Sequence, residues 1–227
     1  LSFWTGQMTN CGNPNPEVCR VNVSAAFFLS IEFQQTGYLA YRAHKAAFGN
    51  LQGKPVPISR EEILQDTQVV ANGLVVGADG WEQKLGQNKQ AYFDQLAGSG
   101  RFTALYPQAM TAEAYVDALN QNAGGALSTG ERNALVAELK SNAKTHAQAL
   151  RQVAEDEDLT KAEFNKAFVL MQYFGYLRRD PDAAPDFNFA GWRFWHDKLE
   201  QFNGDYVSAE MVKAFISSDE YGRRFGR

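Results

Sequence analysis

The sequence predicts an all-α protein made of stacked helical quasi-repeats, with long loops and little or no strand. Three observations predict this class: helix start signals, apolar residues at three- and four-residue intervals, and a pattern of segments that recurs along the chain. With 227 residues, 44% of them apolar, the chain is long enough to bury at least one core. Only segment 69–76 combines β-branched residues with flanking glycines, so we expect little strand.

Helix starts are predicted where a Ser or Thr is followed by a Glu three residues later and then by apolar residues. In such a capping box, the hydroxyl and the carboxylate each accept a hydrogen bond from a backbone N–H group at the helix start. Three segments match this pattern: Ser59 with Glu62, Ser128 with Glu131, and Thr160 with Glu163. We therefore expect helices to begin at these three places.

Two apolar stripes predict helix faces that belong to the core. The first lies on a helix predicted from Lys161 to about Leu177, and the second lies close to the C-terminus. Their members are Phe164, Phe168, Met171, Phe174 and Leu177, followed by Val207, Met211, Val212, Phe215 and Ile216. We expect both stripes to be buried.

A repeat is visible when the two ends of the chain are compared. The segments Phe3-Trp4, Val23-Ser24-Ala25 and Ser30-Ile31-Glu32-Phe33 have counterparts, in the same order, in Phe194-Trp195, Val207-Ser208-Ala209 and Ser218-Asp219-Glu220-Tyr221. Two degenerate copies lie between them. The predicted organisation is a truncated first unit at 1–36 with a cysteine loop, degenerate units at 37–107 and 108–160, and a complete last unit at 161–227.

The first unit lacks an equivalent of segment 162–177 and therefore lacks one apolar helix. Its apolar side chains would then form an exposed assembly surface, which a soluble monomer rarely tolerates. The residues concerned are Phe3, Trp4, Phe27, Phe28 and Ile31. An upstream segment of the same precursor could cover this surface. We favour a neighbouring subunit, whose head-to-tail contact would build a filament or lattice.

Cys11 and Cys19 are the only cysteines, and the loop between them is rich in Gly, Asn and Pro, which turn the backbone. A disulfide between them is favoured over two free thiols, and it suits an oxidising compartment. Zinc would need more ligands, and the three histidines, His44, His146 and His196, lack metal-ligand spacing.

Composition and motifs argue against several function classes. The net charge is −4 and the basic residues are scattered, so nucleic acid is not an expected partner. No apolar run approaches the roughly twenty residues of a membrane-spanning helix. No phosphate-binding loop, nucleophile elbow or matched Cys–His pair is recognisable, so we expect no enzyme activity. Because the chain begins with Leu and without a signal peptide, we expect it to be a processed or excerpted product.

Four oxygen-bearing side chains within nine residues suggest a candidate calcium loop. They are Asp180, Asp182, Asp186 and Asn188. The loop lacks the central Gly and the distal Glu of an EF-hand. The favoured alternative is that Asp182 caps a helix or turn while Arg178 or Arg179 pairs with it.

Tryptophan could serve as a stacking platform for glycans or as a buried anchor between helices. Trp4, Trp81 and Trp195 hold equivalent repeat positions, which favours the buried anchor. We therefore place Trp195 in the core beside Phe168 and Leu199. Trp192 is the one candidate for an exposed face.

The last quarter of the chain carries a resemblance to a known family. The residues concerned are Phe168-Val169, Tyr173, Tyr176-Leu177-Arg178-Arg179-Asp180-Pro181-Asp182, Gly191, Phe194-Trp195, Leu199 and Phe215-x-x-Ser218-x-Glu220-Tyr221. They resemble domain-of-unknown-function family 4214, a bacterial helical domain. In that family a Tyr-x-x-x-Leu-x-Arg-x-Pro-Asp helix end leads into a Gly-x-x-x-Trp helix and then a Ser-x-Glu-Phe helix. Here segment 184–189 lengthens one loop, and the middle units lack Arg-x-Pro-Asp.

The resemblance implies a helical fold similar to the phycobilisome linker domain, in exported S-layer or adhesin-like proteins of Acidobacteria-like bacteria. It implies assembly or adhesion and identifies no catalytic residue. We therefore expect a secreted, noncatalytic structural subunit of an extracellular or cell-envelope structure, with itself or a neighbouring subunit as partner and no cofactor. The alternative is a secreted module that binds cell-surface glycans, with calcium as its candidate ion. A contiguous aromatic groove would favour glycans, and broad apolar faces would favour assembly.

Overall fold

A computed structural model of the chain describes residues 6–7, 11 and 16–226. Between residues 16 and 226 it contains twelve α-helices and one π-helical segment, with no strand in that range, which confirms the predicted all-α class. The helices are α1 Pro16–Leu29, α2 Ile31–Phe48, α3 Arg60–Val70, α4 Trp81–Ala97, α5 Gly100–Leu105, α6 Ala112–Asn122, α7 Thr129–Lys140, α8 His146–Ala154, α9 Glu157–Gln172, α10 Ala190–Gln201, α11 Met211–Ser217 and α12 Asp219–Phe225. The π-helix, Tyr173–Leu177, directly follows α9.

The chain forms two compact units. The terminal unit comprises the described residues of segments 1–34 and 165–227, and the central unit comprises residues 35–164. The two chain ends, which gave the best-matching copies of the repeat, thus belong to one unit. The predicted division into four repeats is not tested by this arrangement and stays a prediction.

The central unit is held together by helix pairs and by an aromatic core. Helix α4 packs on α3 and α8, and α6 packs on α7. In the core, the Tyr106 ring contacts the rings of Phe102 and Tyr115, at centroid distances of 4.4 and 5.2 Å. The Tyr115 hydroxyl donates a hydrogen bond to the His146 carbonyl at 2.7 Å, which satisfies its polar end inside the core.

The terminal unit is built around the π-helix. Helices α11 and α12 both pack on it, and α11 also packs on α1. The predicted stripe of α9 continues into this segment, and its members Phe168, Met171, Phe174 and Leu177 are buried. Its first member, Phe164, was expected to be buried with them and is half-buried. The π-helix ends at Leu177, where the sequence predicts a helix end, and the next residue, Arg178, has the positive φ of 51° that is common after the last residue of a helix.

Two of the three predicted capping boxes are confirmed. Ser59 with Glu62 begins α3, and Ser128 with Glu131 begins α7. A third box occurs at Thr145, where a Gln takes the place of the Glu and α8 begins. In all three the side-chain oxygens satisfy N–H groups that the helix itself leaves without acceptors.

The start predicted at Thr160 is wrong. Helix α9 begins earlier, at Glu157, and Thr160 lies inside it. The carboxylate of Asp156 accepts hydrogen bonds from the backbone N–H groups of Asp158 and Leu159, at 2.9 and 3.0 Å, so this residue caps the helix. Glu163 has a different role from the one predicted: its side chain is buried and accepts a hydrogen bond from the Tyr41 hydroxyl.

The second predicted stripe is only partly buried. Met211, Val212 and Phe215 belong to the core, but the Val207 side chain is exposed. The cause is the helix start: α11 begins at Met211, after a left-handed residue at Glu210. Val207 therefore precedes the helix and does not share its face.

Candidate functional site

The predicted assembly surface is partly exposed in the structure. Phe27, at the end of α1, and Ile31, at the start of α2, are 43% and 60% exposed. Phe3 and Trp4 lie outside the described residues. Phe27 and Ile31 are therefore exposed as predicted, and their role in assembly stays a prediction.

The prediction is wrong at Phe28, which is buried. Its ring meets those of Phe33 and Tyr176 edge-on, both at centroid distances of 5.2 Å. Gly175 of the π-helix lies against the same ring, and an added Cβ there would overlap the ring's far end. The first unit was expected to lack an apolar partner helix. The segment that follows α9 provides it, because both chain ends fold into one unit.

Exposed phenylalanines are concentrated in the terminal unit. Among the described residues, five phenylalanine side chains are exposed, and all five belong to this unit: Phe27, Phe187, Phe194, Phe202 and Phe225. The central unit exposes only aliphatic side chains among its large apolar residues, at Leu64, Val75, Val76 and Leu105. Phe187 is 75% exposed and has a positive φ of 51°, a conformation that is uncommon for a bulky residue. Nothing in the sequence pattern distinguishes it.

Neither tryptophan of α10 has the environment that the sequence predicts. Trp192 is buried and stacks on the His196 ring at 5.3 Å, so it is not an exposed stacking face. Trp195 is half-buried, with its ring 5.8 Å from that of Phe215 and the Lys198 ammonium above it. Both lie on α10, three residues apart. The repeat comparison placed Trp195 in the core and left Trp192 as the candidate for an exposed face, and it is wrong about which of the two is more deeply buried.

Cys11 and Cys19 are joined by a disulfide, as the sequence predicts. Cys19 belongs to α1, so the bond ties the preceding segment to the first helix of the terminal unit. Disulfides persist in oxidising compartments, which makes the pair compatible with an extracellular protein.

The candidate calcium loop is organised by an arginine. Arg179 is buried, and its guanidinium donates to the Asp186 carboxylate at 2.6 Å and to both carboxylate oxygens of Glu220 at 2.7 and 3.0 Å. It also donates to the carbonyl oxygens of Asp180 and Pro181, at 3.2 and 3.0 Å. Arg179, the arginine of the Arg-x-Pro-Asp motif, thus occupies the centre of the loop.

The remaining loop residues fit this structural arrangement. The side-chain Oδ1 of Asn188 accepts a hydrogen bond from the Ala190 N–H at 2.7 Å, at the start of α10. In the described part of the chain, no three His, Cys, Asp or Glu side chains are grouped as metal ligands. Asp180, Asp182, Asp186 and Asn188 therefore gain no geometric support as a calcium site, and calcium binding stays a prediction.

Glu220 carries an electrostatic signature of this arrangement. Partial burial raises the pKa of its carboxyl group, but hydrogen bonds from Arg179 and Arg224 outweigh that effect and lower the pKa below its ordinary value. The pair joins the end of the π-helix to α12. The Arg179–Glu220 pair has a structural role, since each carboxylate oxygen of Glu220 already accepts a hydrogen bond from an arginine.

A histidine–aspartate pair lies in the central unit. His44 Nε2 and the Tyr92 hydroxyl both lie 2.8 Å from the same oxygen of Asp66. This contact joins α2, α3 and α4. In the central unit, all of which is described, the buried His44 Nδ1 has no hydrogen-bond partner, so no hydroxyl or thiol is held on it as a nucleophile.

Two clefts lie in the central unit. The larger, about 730 Å³, has five carboxylates in its lining. Three of them already accept hydrogen bonds within the protein: Glu131 from Ser128, Glu155 from Lys89 and Arg151, and Asp156 from the start of α9. The smaller cleft contains the buried ammonium group of Lys89, a feature that a Lys between Leu85 and Phe93 on the α4 core face could have indicated.

No protein-family model matches the chain, and no match is found among curated proteins or solved structures. The family resemblance of the last quarter therefore stays a prediction. The surfaces and clefts described above are the basis on which function is inferred.

Proposed function

We propose that this protein is a noncatalytic assembly subunit of an extracellular or cell-envelope structure, and that the terminal unit carries its contact surface. The observation that carries the proposal is the location of the exposed phenylalanines, all of which lie in that unit among the described residues. An exposed phenylalanine that becomes buried in a contact removes a large apolar surface from water. Phe27 and Ile31 retain the exposed part of the predicted assembly surface.

The motif residues of the terminal unit support a structural role. Tyr173 and Arg179 are buried, and Arg179 pairs with Glu220 and Asp186. Gly191 has to be small, since an added Cβ would lie 2.5 Å from the Tyr173 hydroxyl oxygen. The residues that recur in the resembled family therefore organise the fold in this chain.

The Cys11–Cys19 disulfide supports an extracellular or envelope location. Among the described helices, none is both long and apolar enough to cross a membrane. A second copy of the chain is the proposed partner, because repeat-built helical proteins bury their apolar faces on neighbouring units and a head-to-tail contact repeats without closing.

The proposal is tested by comparing wild type, Phe27→Asp with Ile31→Asp, and a control with Leu64→Asp and Leu105→Asp in sedimentation velocity experiments. The control side chains are 44% and 52% exposed and lie in the central unit. We expect the first double variant to sediment as a monomer where wild type and control associate. Circular dichroism checks that both variants keep their helices. Equal association of all three proteins would contradict this location of the contact.

A further inference from the structure

The smaller cleft of the central unit collects cations from three parts of the chain. Its volume is about 320 Å³, the lower end of the range for small-molecule sites. Helix α2 contributes Gln35 and Arg42, and α4 contributes Lys89. The α8–α9 junction contributes Glu155, and α9 contributes Thr160 and Lys161. Glu157 also lines it, so the formal charge of the lining is three positive against two negative.

One hydrogen bond holds the Arg42 guanidinium in the cleft, and its other N–H groups lack protein acceptors in the central unit. Its Nε donates to the Ala154 carbonyl oxygen at 2.8 Å, at the end of α8. In the central unit, which is completely described, neither Nη group has a protein hydrogen-bond acceptor. These groups are not fully buried either, so their N–H donors are accessible from the cleft that Arg42 lines. A guanidinium held in this way presents two N–H groups that suit the oxygens of a carboxylate or phosphate.

The charge on Arg42 is incompletely neutralised. Burial lowers the pKa of its guanidinium to about 10, and attraction by Glu155 and Tyr38 only partly offsets this effect. Glu155 is itself shared, since it accepts from Lys89 at 2.7 Å and from Arg151 at 2.8 Å. A bound anion would supply the negative charge that the protein does not provide at this position.

The other two cations are arranged around Arg42. Lys89 Nζ lies 2.5 Å from Gln35 Oε1 and 2.7 Å from Glu155, which leaves one of its three N–H donors. Lys161 is 73% exposed, and its nearest carboxylates, Glu157 and Asp158, lie 3.7 and 3.9 Å away. It is therefore an exposed, weakly paired cation of the cleft lining. Thr160 belongs to the same lining. A threonine hydroxyl group can donate one hydrogen bond.

We propose that this cleft binds a small oxyanion, a carboxylate or phosphate group, through Arg42, Lys89 and Lys161. The assignment is independent of the assembly proposal, because it concerns residues of the central unit only. Arg42 would form the paired hydrogen bonds, Lys89 would supply buried charge, and Lys161 would close over the anion from the solvent side.

The test uses the full chain and two probes, inorganic phosphate and acetate, titrated calorimetrically at constant ionic strength with chloride as the background anion. We expect saturable binding of at least one probe. Arg42→Gln should raise Kd about tenfold, since it removes a charge-assisted pair of hydrogen bonds. Lys161→Gln should raise it about two- to fivefold, as expected for an exposed cation.

Lys161→Gln also guards against misfolding, because this exposed side chain has no role in the core. The matched controls are Arg132→Gln and Lys140→Gln, which remove cations of the same unit that pair with Asp117 and Glu113 outside the cleft. Phosphate binding without acetate binding would identify a phosphoryl ligand, and binding of both would extend the site to carboxylates. No saturable binding of either probe, or equal weakening by the controls, would overturn the proposal.

Discussion

The contact between Gly175 and Phe28 overturns the prediction that the Phe28 side chain is exposed. The rings of Phe33 and Tyr176 enclose the Phe28 ring edge-on, so it has little room to move away from a Cβ at position 175. We predict that Gly175→Ala lowers the free energy of unfolding by about 1–3 kcal/mol through overpacking. Urea denaturation measures the change.

Gly86→Ala is the matched control for this prediction. Gly86 also lies in a helix, and an added Cβ there would have no atom within 4 Å. It should therefore be neutral or stabilise by up to about 1 kcal/mol, as Ala does relative to Gly in a helix. If Gly175→Ala proved as stable as Gly86→Ala, the close packing of Phe28 would be incorrect.

Single residues show where sequence reasoning stops. The cysteine pair could be predicted because its two members share one turn-rich loop. The burial of Phe28 could not, because it depends on contacts with Tyr176 and Gly175 almost 150 positions away in the sequence. The burial of Trp192 and the partial exposure of Trp195 have the same cause. Helical periodicity defines a face, but the tertiary partner decides which side of α10 is covered.

At the scale of elements, the start of α9 provides a direct comparison of two capping candidates. The Asp156 carboxylate accepts hydrogen bonds from two backbone N–H groups, whereas Thr160 lies inside the helix. We predict that Asp156→Ala lowers the free energy of unfolding by about 1 kcal/mol. Thr160→Ala should change it by less than about half that amount, since no cap is lost. Thermal or urea unfolding of both variants compares the two losses of stability. A larger loss for Thr160→Ala than for Asp156→Ala would contradict the cap at Asp156 and favour the helix start predicted at Thr160.

Glu155 joins α4 and α8 through Lys89 and Arg151, and this arrangement predicts a pH dependence. Partial burial raises the pKa of Glu155, but the hydrogen bonds from Lys89 and Arg151 outweigh this effect. In the folded protein the pKa of Glu155 therefore lies below its ordinary value of 4.5. The contribution of Glu155 to stability is therefore complete above that value and is lost as the pH falls through the lowered pKa.

Glu155→Gln should accordingly be less stable than wild type at neutral pH. Its stability should also fall less steeply than that of wild type as the pH drops below 4.5. Glu157→Gln is the control, because the Glu157 side chain is 90% exposed and should leave the acid dependence unchanged. Urea midpoints over the acid range measure both. Parallel curves for wild type and Glu155→Gln would contradict the stabilising role of the pairs.

Elements were predictable where the determining signal is local. The boxes at Ser59 and Ser128 are complete within four residues, and both begin helices. Thr160 with Glu163 matches the same pattern, but the earlier cap at Asp156 overrides it, and Glu163 accepts from Tyr41 in α2 instead. The smaller cleft was not predictable, since Arg42, Lys89 and Lys161 come from three separate helices.

At the scale of the whole molecule, the all-α class followed from periodicity, but the division into units did not. The sequence comparison related the chain ends as copies of one repeat. The structure places both ends in one compact unit, where the segment after α9 covers Phe28 of α1. The contact surface proposed for assembly therefore loses Phe28 and keeps Phe27 and Ile31 at its predicted location. The exposed phenylalanines of segment 187–225 are a second apolar group in the same unit.

The central claim, that the chain associates with copies of itself, is tested most directly by sedimentation equilibrium of the unaltered wild-type chain over about a hundredfold range of concentration. The account predicts an average mass that rises with concentration above that of one chain. It further predicts no fixed upper limit, as expected for a head-to-tail contact that does not close. The mass of a single chain throughout the range would contradict it.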